Sequence, residues 1–299
     1  MFTEAFGDGA ELGLSIDYVY ESTPLGTGGG IRNAASLLRG GPDAPVVVLN
    51  GDILSGHHLV AQLDLHQDSG AAVSLHLTEV DDPSRYGVVP TDPSGRVTAF
   101  LEKMPNPVTN KINAGCYIFR RSVIDQIPGG RPVSVEHETF PQLIESGAVV
   151  MGYHEPGAYW LDVGTPEAFV RGSCDVVLGG MPSPAMPGAC GEVLLLPGAS
   201  VADGASTTGG TVLGAGCCVA SGAQVHGSVV FDGAEIGSGA VVRDSIVGRG
   251  AVISEGAILN GVVIGDEAHI GPGNELRHGA RVWPKVRLEH TSVRFSSDA

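Results

Sequence analysis

Lysine is almost absent from this chain: Lys103, Lys111 and Lys285 are the only three in 299 residues, and the formal net charge is −16. So few cations form no basic patch able to neutralise a phosphate backbone, which excludes nucleic acid as a partner. An anionic small molecule would have to be received by a local positive site within a negative surface, so the place of each lysine carries weight. Long hydrophobic runs are missing as well, and nothing approaches the roughly 20 apolar residues needed to cross a bilayer, so no membrane partner is expected. The opening Met1-Phe2-Thr3-Glu4 lacks the basic start and apolar core of a secretory signal. Cysteine is sparse, five in all, odd in number and without framework spacing, and Cys217 and Cys218 are adjacent. That usage argues against a disulfide scaffold and for small packing residues in a reducing, cytoplasmic compartment. What is plentiful is apolar: 42% hydrophobic residues suffice for sizeable cores, and the length points to about two domains.

The chain reads in two regimes. Up to residue 178, strands and helices alternate: strands over 16–21, 46–50, 72–80, 96–102, 112–119 and 149–153, helices over 29–38, 59–67, 135–144 and 166–178. Such alternation predicts an α/β domain with a Rossmann-like, mostly parallel sheet covered by helices on both faces. Residues 179–192 form a linker, dense in Gly and Pro from Gly179 to Ala189. Beyond it the period becomes six: Ile246, Val252, Ile258, Ile264, Ile270, Leu276 and Val282, with Val230, Ile236 and Val242 before a phase slip, and Val219 and Val225 as a further piece. Six-residue apolar repeats with small residues at the corners predict a left-handed β-helix of hexapeptide repeats over 193–288, followed by a tail over 289–299. Its expected role is structural, supporting a homo-oligomer.

Chemistry is carried by abrupt apolar-to-acid transitions. Pro45 to Asp52, PVVVLNGD, reads as a buried parallel strand that delivers the Asp52 carboxylate into a ligand crevice. Tyr159-Trp160-Leu161-Asp162 offers Asp162 in the same way, so two distant aspartates can converge on one hard divalent cation such as Mg²⁺, which takes few carboxylates plus substrate phosphates. The plain alternative is that each aspartate caps the helix after its strand.

Several motifs recur in this order in the sugar-nucleotide pyrophosphorylases: Glu21 to Arg32 (ESTPLGTGGGIR), Leu49-Asn50-Gly51-Asp52, Arg85 to Val89, Phe100 to Lys103, Ile112 to Gly115, Ser134-Val135-Glu136 with Phe140-Pro141, and Trp160 to Pro166. The chain resembles that nucleotidyltransferase family, and most of all its branch acting on GTP and mannose 1-phosphate. The resemblance implies that a sugar 1-phosphate oxygen attacks the α-phosphorus of a nucleoside triphosphate and displaces pyrophosphate, while the protein aligns two anions and stabilises charge at the transferred phosphorus. It implies Asp52 and Asp162 as Mg²⁺ ligands and Lys103 as the holder of the sugar phosphate. Glu102, Asn113, Gly115 and Gly87 stand on the sugar side, and Leu25, Gly26 and Thr27 beside the nucleotide base. Glu136 reads as a framework residue. The turn after Lys103 departs from the family, with Glu-Lys-Met-Pro in place of Glu-Lys-Pro.

Family members open with an apolar strand and a glycine-rich basic loop, G-G-x-G-T-R-L-x-P-L-T, then Pro-Lys-Pro; this sequence shows neither. The expectation is a chain that holds the sugar side and the metal ligands and lacks the triphosphate clamp, short of at least one β-α-β unit, on the order of thirty residues or more. Activity is then a separate question from membership. The competing readings are a sugar-nucleotide-binding regulatory subunit without turnover, a pyrophosphorylase for another sugar such as glucose, and a histidine-dependent acyltransferase on the β-helix using His226, His269 or His278.

Overall fold

The computed structural model describes residues 2–101, 103–183, 186 and 191–294. These form two compact units, one of residues 1–51 with 57–158, the other of residues 52–56 with 159–299.

The first unit is built on a four-stranded sheet of order β1-β4-β3-β5: β1 (Pro45–Leu49), β3 (Val73–Glu79), β4 (Lys111–Arg120) and β5 (Val150–His154). Strand β3 runs parallel to β5, as expected of an α/β sheet, whereas β4 is antiparallel to both β1 and β3, so the sheet is mixed. Alternation sorts the faces. Val73, Leu75 and Leu77 join Tyr117, Phe119, Phe140 and Val150 in one apolar core. Ser74 and His76, equally buried, face the other way toward α3 (Leu59–Asp68), whose Gln62 Nε2 donates to the Ser74 carbonyl at 3.3 Å.

Four expectations are corrected here. The run at 45–49 is a strand but not a buried parallel one: among the described residues β1 pairs only with β4, and Val47 and Leu49 are exposed while Val46 and Val48 are half-buried. An apolar β-branched run shows that a strand forms, not how many neighbours it finds. Residues 16–21 are not a strand: no described strand pairs with them to complete a ladder. The strand expected over 96–102 is not continuous: among the described residues, 96–101 pair by isolated bridges to three different partners, Arg96 to Met151, Val97 to Thr91 and Leu101 to Val88, and residue 102 lies outside them. The helix expected over 29–38 is α2 (Gly26–Asn33) followed by a 3₁₀ turn over Ala34–Leu37.

The second unit opens with a two-stranded ribbon, β2 (Ile53–Ser55) antiparallel to β6 (Trp160–Asp162), and helix α6 (Pro166–Val177). The β-helix follows, from β7 (Val193–Leu195) to β23 (Arg287–Leu288), its short strands stacked in three parallel sheets. Val212 lies beside Val229, Ile246 beside Val229, and Val263 beside Ile246, so the central coils take seventeen residues, whereas Val193 beside Thr211 and Val263 beside Arg281 give eighteen at either end. Seventeen means two six-residue faces and one of five, and this corrects the phase read from sequence. Val247, Ile253 and Leu259 point into the core at 0% exposure, while Ile246, Val252 and Ile258 are half-buried. The short step falls at corners where Gly227, Asp244 and Gly261 take positive φ (53°, 47° and 63°). A hydroxyl ladder seals those corners: Ser228 N–H donates to Thr211 Oγ1, Ser245 N–H to Ser228 Oγ, and Val262 N–H to Ser245 Oγ. Each inward Val, Ile or Leu contributes about 1.5–3 kcal/mol by burial, so the stack is held by sequence-distant repeats acting alike.

The outward Ile246 has a separate partner. With Val212 and Val229 it packs against Val170 and Cys174 of α6, a second apolar layer outside the coil. An apolar residue at both phases is what misled the six-residue count. Cys116, Cys174 and Cys217 are buried thiols as expected; Cys218 is exposed, and Cys190 lies outside the described residues. No described helix is long and apolar enough to cross a membrane.

Candidate active site

In the first unit, the fold gathers one cavity of about 250 Å³ lined by Gly87, Val89, Phe100, Leu101, Lys103, Asn113, Glu136 and His137. Three local devices set its walls. Val88 exchanges backbone hydrogen bonds with Leu101 (2.9 and 3.0 Å), which fixes Gly87 on one side and the approach to Lys103 on the other. A side chain at Gly87 would bring a Cβ to 3.1 Å from the Leu101 carbonyl, so glycine is needed for that crossing. The third device is a bulge in β4: its pairing with β3 slips between Leu75 and Leu77, opposite Ala114-Gly115-Cys116. Gly115 takes φ +78°, a left-handed conformation that glycine adopts without Cβ strain. Its carbonyl accepts Asn50 N–H at 2.8 Å, pinning the end of β1.

Asn113, at the edge of that bulge, is held on every side. Its Nδ2 donates to Tyr117 Oη at 2.7 Å and to Glu136 Oε1 at 2.6 Å, and its Oδ1 accepts Gly115 N–H at 3.2 Å. Burial pushes the Tyr117 hydroxyl up to about 12, so it stays a neutral anchor, bonded also to the Asn50 side chain. Glu136 was legible in sequence only as framework; the structure puts it in the cavity wall beside Lys103. The Ser-Val-Glu motif marked Glu136 without a role, and the bond from Asn113 supplies one. Glu102 lies outside the described residues.

Leu25, Gly26 and Thr27 do not line this cavity. They zip onto 133–135: Val133 N–H donates to the Leu25 carbonyl (2.8 Å), Gly28 N–H to the Val133 carbonyl (2.8 Å), and Val135 N–H to Thr27 Oγ1 (3.1 Å). A Cβ on Gly26 would approach the Val133 carbonyl oxygen to 2.8 Å. The glycines therefore let α2 start against the segment that leads into Glu136.

Asp52 and Asp162 belong to the second unit, where the β2/β6 ribbon brings them together. Asp162 stands opposite Ile53 in the register, and Val163 N–H donates to the Asp52 carbonyl at 2.9 Å. Neither is a helix cap. His58 Nδ1 caps α3 by accepting Ala61 N–H (3.1 Å), and Thr165 Oγ1 caps α6 by accepting Ala168 N–H (3.2 Å). Asp162 Oδ1 accepts Gly164 N–H at 2.8 Å in a local turn, which orients the carboxylate and leaves its second oxygen. Two carboxylates on adjacent strand ends suit a hard cation that draws its remaining ligands from water and phosphate. No cluster of three or more ligating side chains occurs among the described residues.

The histidines of the β-helix serve the stack. His226 Nδ1 pairs with Thr208 Oγ1 (2.9 Å), and His269 bonds Ser254 Oγ (3.1 Å) and Arg287 (2.9 Å).

Comparison with known proteins divides the chain later than the two compact units do, between residues 177 and 189. Residues 1–177 match the Nucleotidyl transferase family, and residues 189–296 match the GMPPB C-terminal domain. A mannose-1-phosphate guanylyltransferase of Mycobacterium tuberculosis is 52% identical over 298 residues, covering 100% of this chain and 82% of that protein. Mannose-1-phosphate guanylyltransferase 1 of Arabidopsis thaliana is 36% identical over 75% of this chain and 63% of its own length; a mannose-1-phosphate guanyltransferase of Pichia angusta is 40% identical over 55% and 44%. The chain thus spans most of the mycobacterial relative and less than two thirds of the plant and yeast ones. A bulged strand presenting Asn-Ala-Gly and a lysine at the cavity wall in one unit, and a β-helix in the other, accompany a family match over more than half of the sequence, and the chain belongs to the nucleotidyl transferase family.

Proposed function

We propose that the chain makes GDP-mannose from GTP and mannose 1-phosphate. A phosphate oxygen of the sugar attacks the α-phosphorus, the bond from that phosphorus to the β-bridging oxygen breaks, and pyrophosphate leaves with the electron pair. The observation that carries this reading is Lys103 in the wall of a cavity whose other polar groups suit hydroxyls. In a protein of charge −16 with three lysines, a cation there is the local positive site that an anionic sugar phosphate needs. GTP and mannose as the pair are supported by the names of the relatives, one of them similar along the whole chain.

The residue roles in this reading are those of the family motifs. Lys103 neutralises the sugar phosphate so that two anions can approach in line. Gly87 and Asn113 line the sugar wall and Gly115 makes the bulge next to it, while contact of Glu102 with the sugar and of Leu25, Gly26 and Thr27 with the nucleotide is supported by the family motifs alone. Asp52 and Asp162 would hold Mg²⁺, whose charge, when bound, offsets that of the phosphates. Self-association through the β-helix belongs to the same proposal, supported by the shallow face lined by Ser200, Ala202, Cys218, Ala220 and Val252.

Pyrophosphate release with GTP, mannose 1-phosphate and Mg²⁺ tests the reaction. Lys103→Ala is expected to raise the KM for mannose 1-phosphate by about 10–100-fold with the KM for GTP nearly unchanged, the loss of a charge-assisted pair at one substrate only. Unaltered constants for both substrates would return Lys103 to an ordinary surface cation.

A further inference from the structure

We propose that Glu136 is the residue that reads the hexose, accepting hydrogen bonds from sugar hydroxyls, and that Asn113 acts on the sugar only through it, as a positioning residue. This rests on the reading of the cavity as a sugar-phosphate site. The argument starts with the amide. A carboxamide has two N–H donors, and both of those on Asn113 are spent, on Tyr117 Oη and Glu136 Oε1. Its oxygen already takes the Gly115 N–H. Turning an Asn113 N–H toward a ligand would break either its bond to Glu136 or its bond to a tyrosine that is 2% exposed and fixed in the core.

Glu136 is in the opposite position. An ionised carboxylate offers about four acceptor sites, and among the described residues the only donor to it is Asn113. Its backbone is held on both sides: Val135 is fully buried, and Ser134 Oγ accepts His137 N–H at 3.2 Å. Held there, the carboxylate faces the same cavity as Lys103, so the site is polarised. A hexose 1-phosphate is polarised in the same sense, an anion at one end and hydroxyl donors over the rest. Hydroxyl-to-carboxylate bonds are short and strong, and a site built around one rejects analogues lacking that hydroxyl far more than an apolar pocket does. The 2.6 Å bond from Asn113 fixes which oxygen remains for the ligand and at what angle.

The test compares the wild-type chain with Glu136→Ala, Glu136→Gln and Asn113→Ala in steady-state pyrophosphate release. It uses mannose 1-phosphate and its 2-, 3-, 4- and 6-deoxy analogues, with thermal melts confirming folding. Glu136→Ala is expected to raise the KM for mannose 1-phosphate about 10–100-fold, leave that for GTP unchanged, and abolish the discrimination against one or two deoxy analogues that wild type shows. Glu136→Gln, keeping an acceptor without charge, should fall between. Asn113→Ala should blunt the same discrimination, against the same analogues, by a smaller factor. Wild-type KM and an intact deoxy profile in folded Glu136→Ala would overturn the proposal while leaving the reaction standing. A wild-type chain that neither turns over nor binds any hexose 1-phosphate would overturn the functional reading and this inference with it.

Discussion

Asp52→Asn is expected to lower kcat on the order of a thousand-fold, the several kcal/mol that a lost charge at a phosphoryl-transfer cation costs. The protein should stay folded, for reasons visible in its structure. Asp52 is exposed, and its structural contact, the carbonyl that accepts Val163 N–H, is main chain and survives the change. Asp162→Asn should fall similarly, since the amide oxygen of asparagine can still accept Gly164 N–H and preserve the turn. Both variants should require more Mg²⁺ for half-maximal rate, and Mn²⁺ binding followed by paramagnetic relaxation should weaken in parallel. Wild-type rates with unchanged metal dependence in either variant would remove that residue from the metal site.

The second large effect concerns acid. His57 and His76 stack with ring centroids 3.9 Å apart, and His76 is 1% exposed with its Nδ1 buried and unpartnered. Burial, then the neighbouring His57, drives His76 down to about 3; burial also lowers His57, against its bond to Gln62 Oε1 at 2.9 Å and the charge of Glu155, which raise it. His154, from β5, adds to the lowering of His76, and Tyr153 packs against both rings. Because the folded pKa lies below the unfolded value near 6.5, the stabilising contribution is present above about pH 6.5. It is lost as pH falls toward 3, where the unfolded chain binds a proton that the native state refuses. For His76 alone the loss by pH 5 is about 2 kcal/mol, with His57 adding to it. Urea denaturation at pH 7 and pH 5 should show that decline, and His76→Phe, which keeps a ring on His57, should shrink it. An equal decline in the variant would place the acid sensitivity elsewhere.

The two histidines also show how sequence and fold divide the information. His57 and His76 are nineteen residues apart, in a loop and a strand, with nothing local to mark them as a pair; β3 and α3 had to pack before they met. The same holds for the bond between Asn113 and Glu136, which turns a framework glutamate into a cavity wall, and for the edge position of β1, since pairing partners are a tertiary matter. The motif order from Glu21 to Pro166 was legible without coordinates, because a site built at loop tips and strand ends leaves local signatures.

What the sequence alone determined is what depends on local periodicity and residue chemistry: an α/β unit followed by a β-helix, the helices read at 59–67 and 166–178 and found within one residue of those ends, and the apolar-to-acid transitions that mark Asp52 and Asp162. What only the tertiary structure decided is what depends on who lies next to whom. The seventeen-residue coil places Val247 rather than Ile246 inside, since the repeat is six residues on two faces and five on the third. Helix α6 covers the outward Ile246, so both phases carry apolar side chains and local periodicity cannot choose between them. Contact between distant residues is set by the global minimum of burial and hydrogen bonding, which no window of sequence contains.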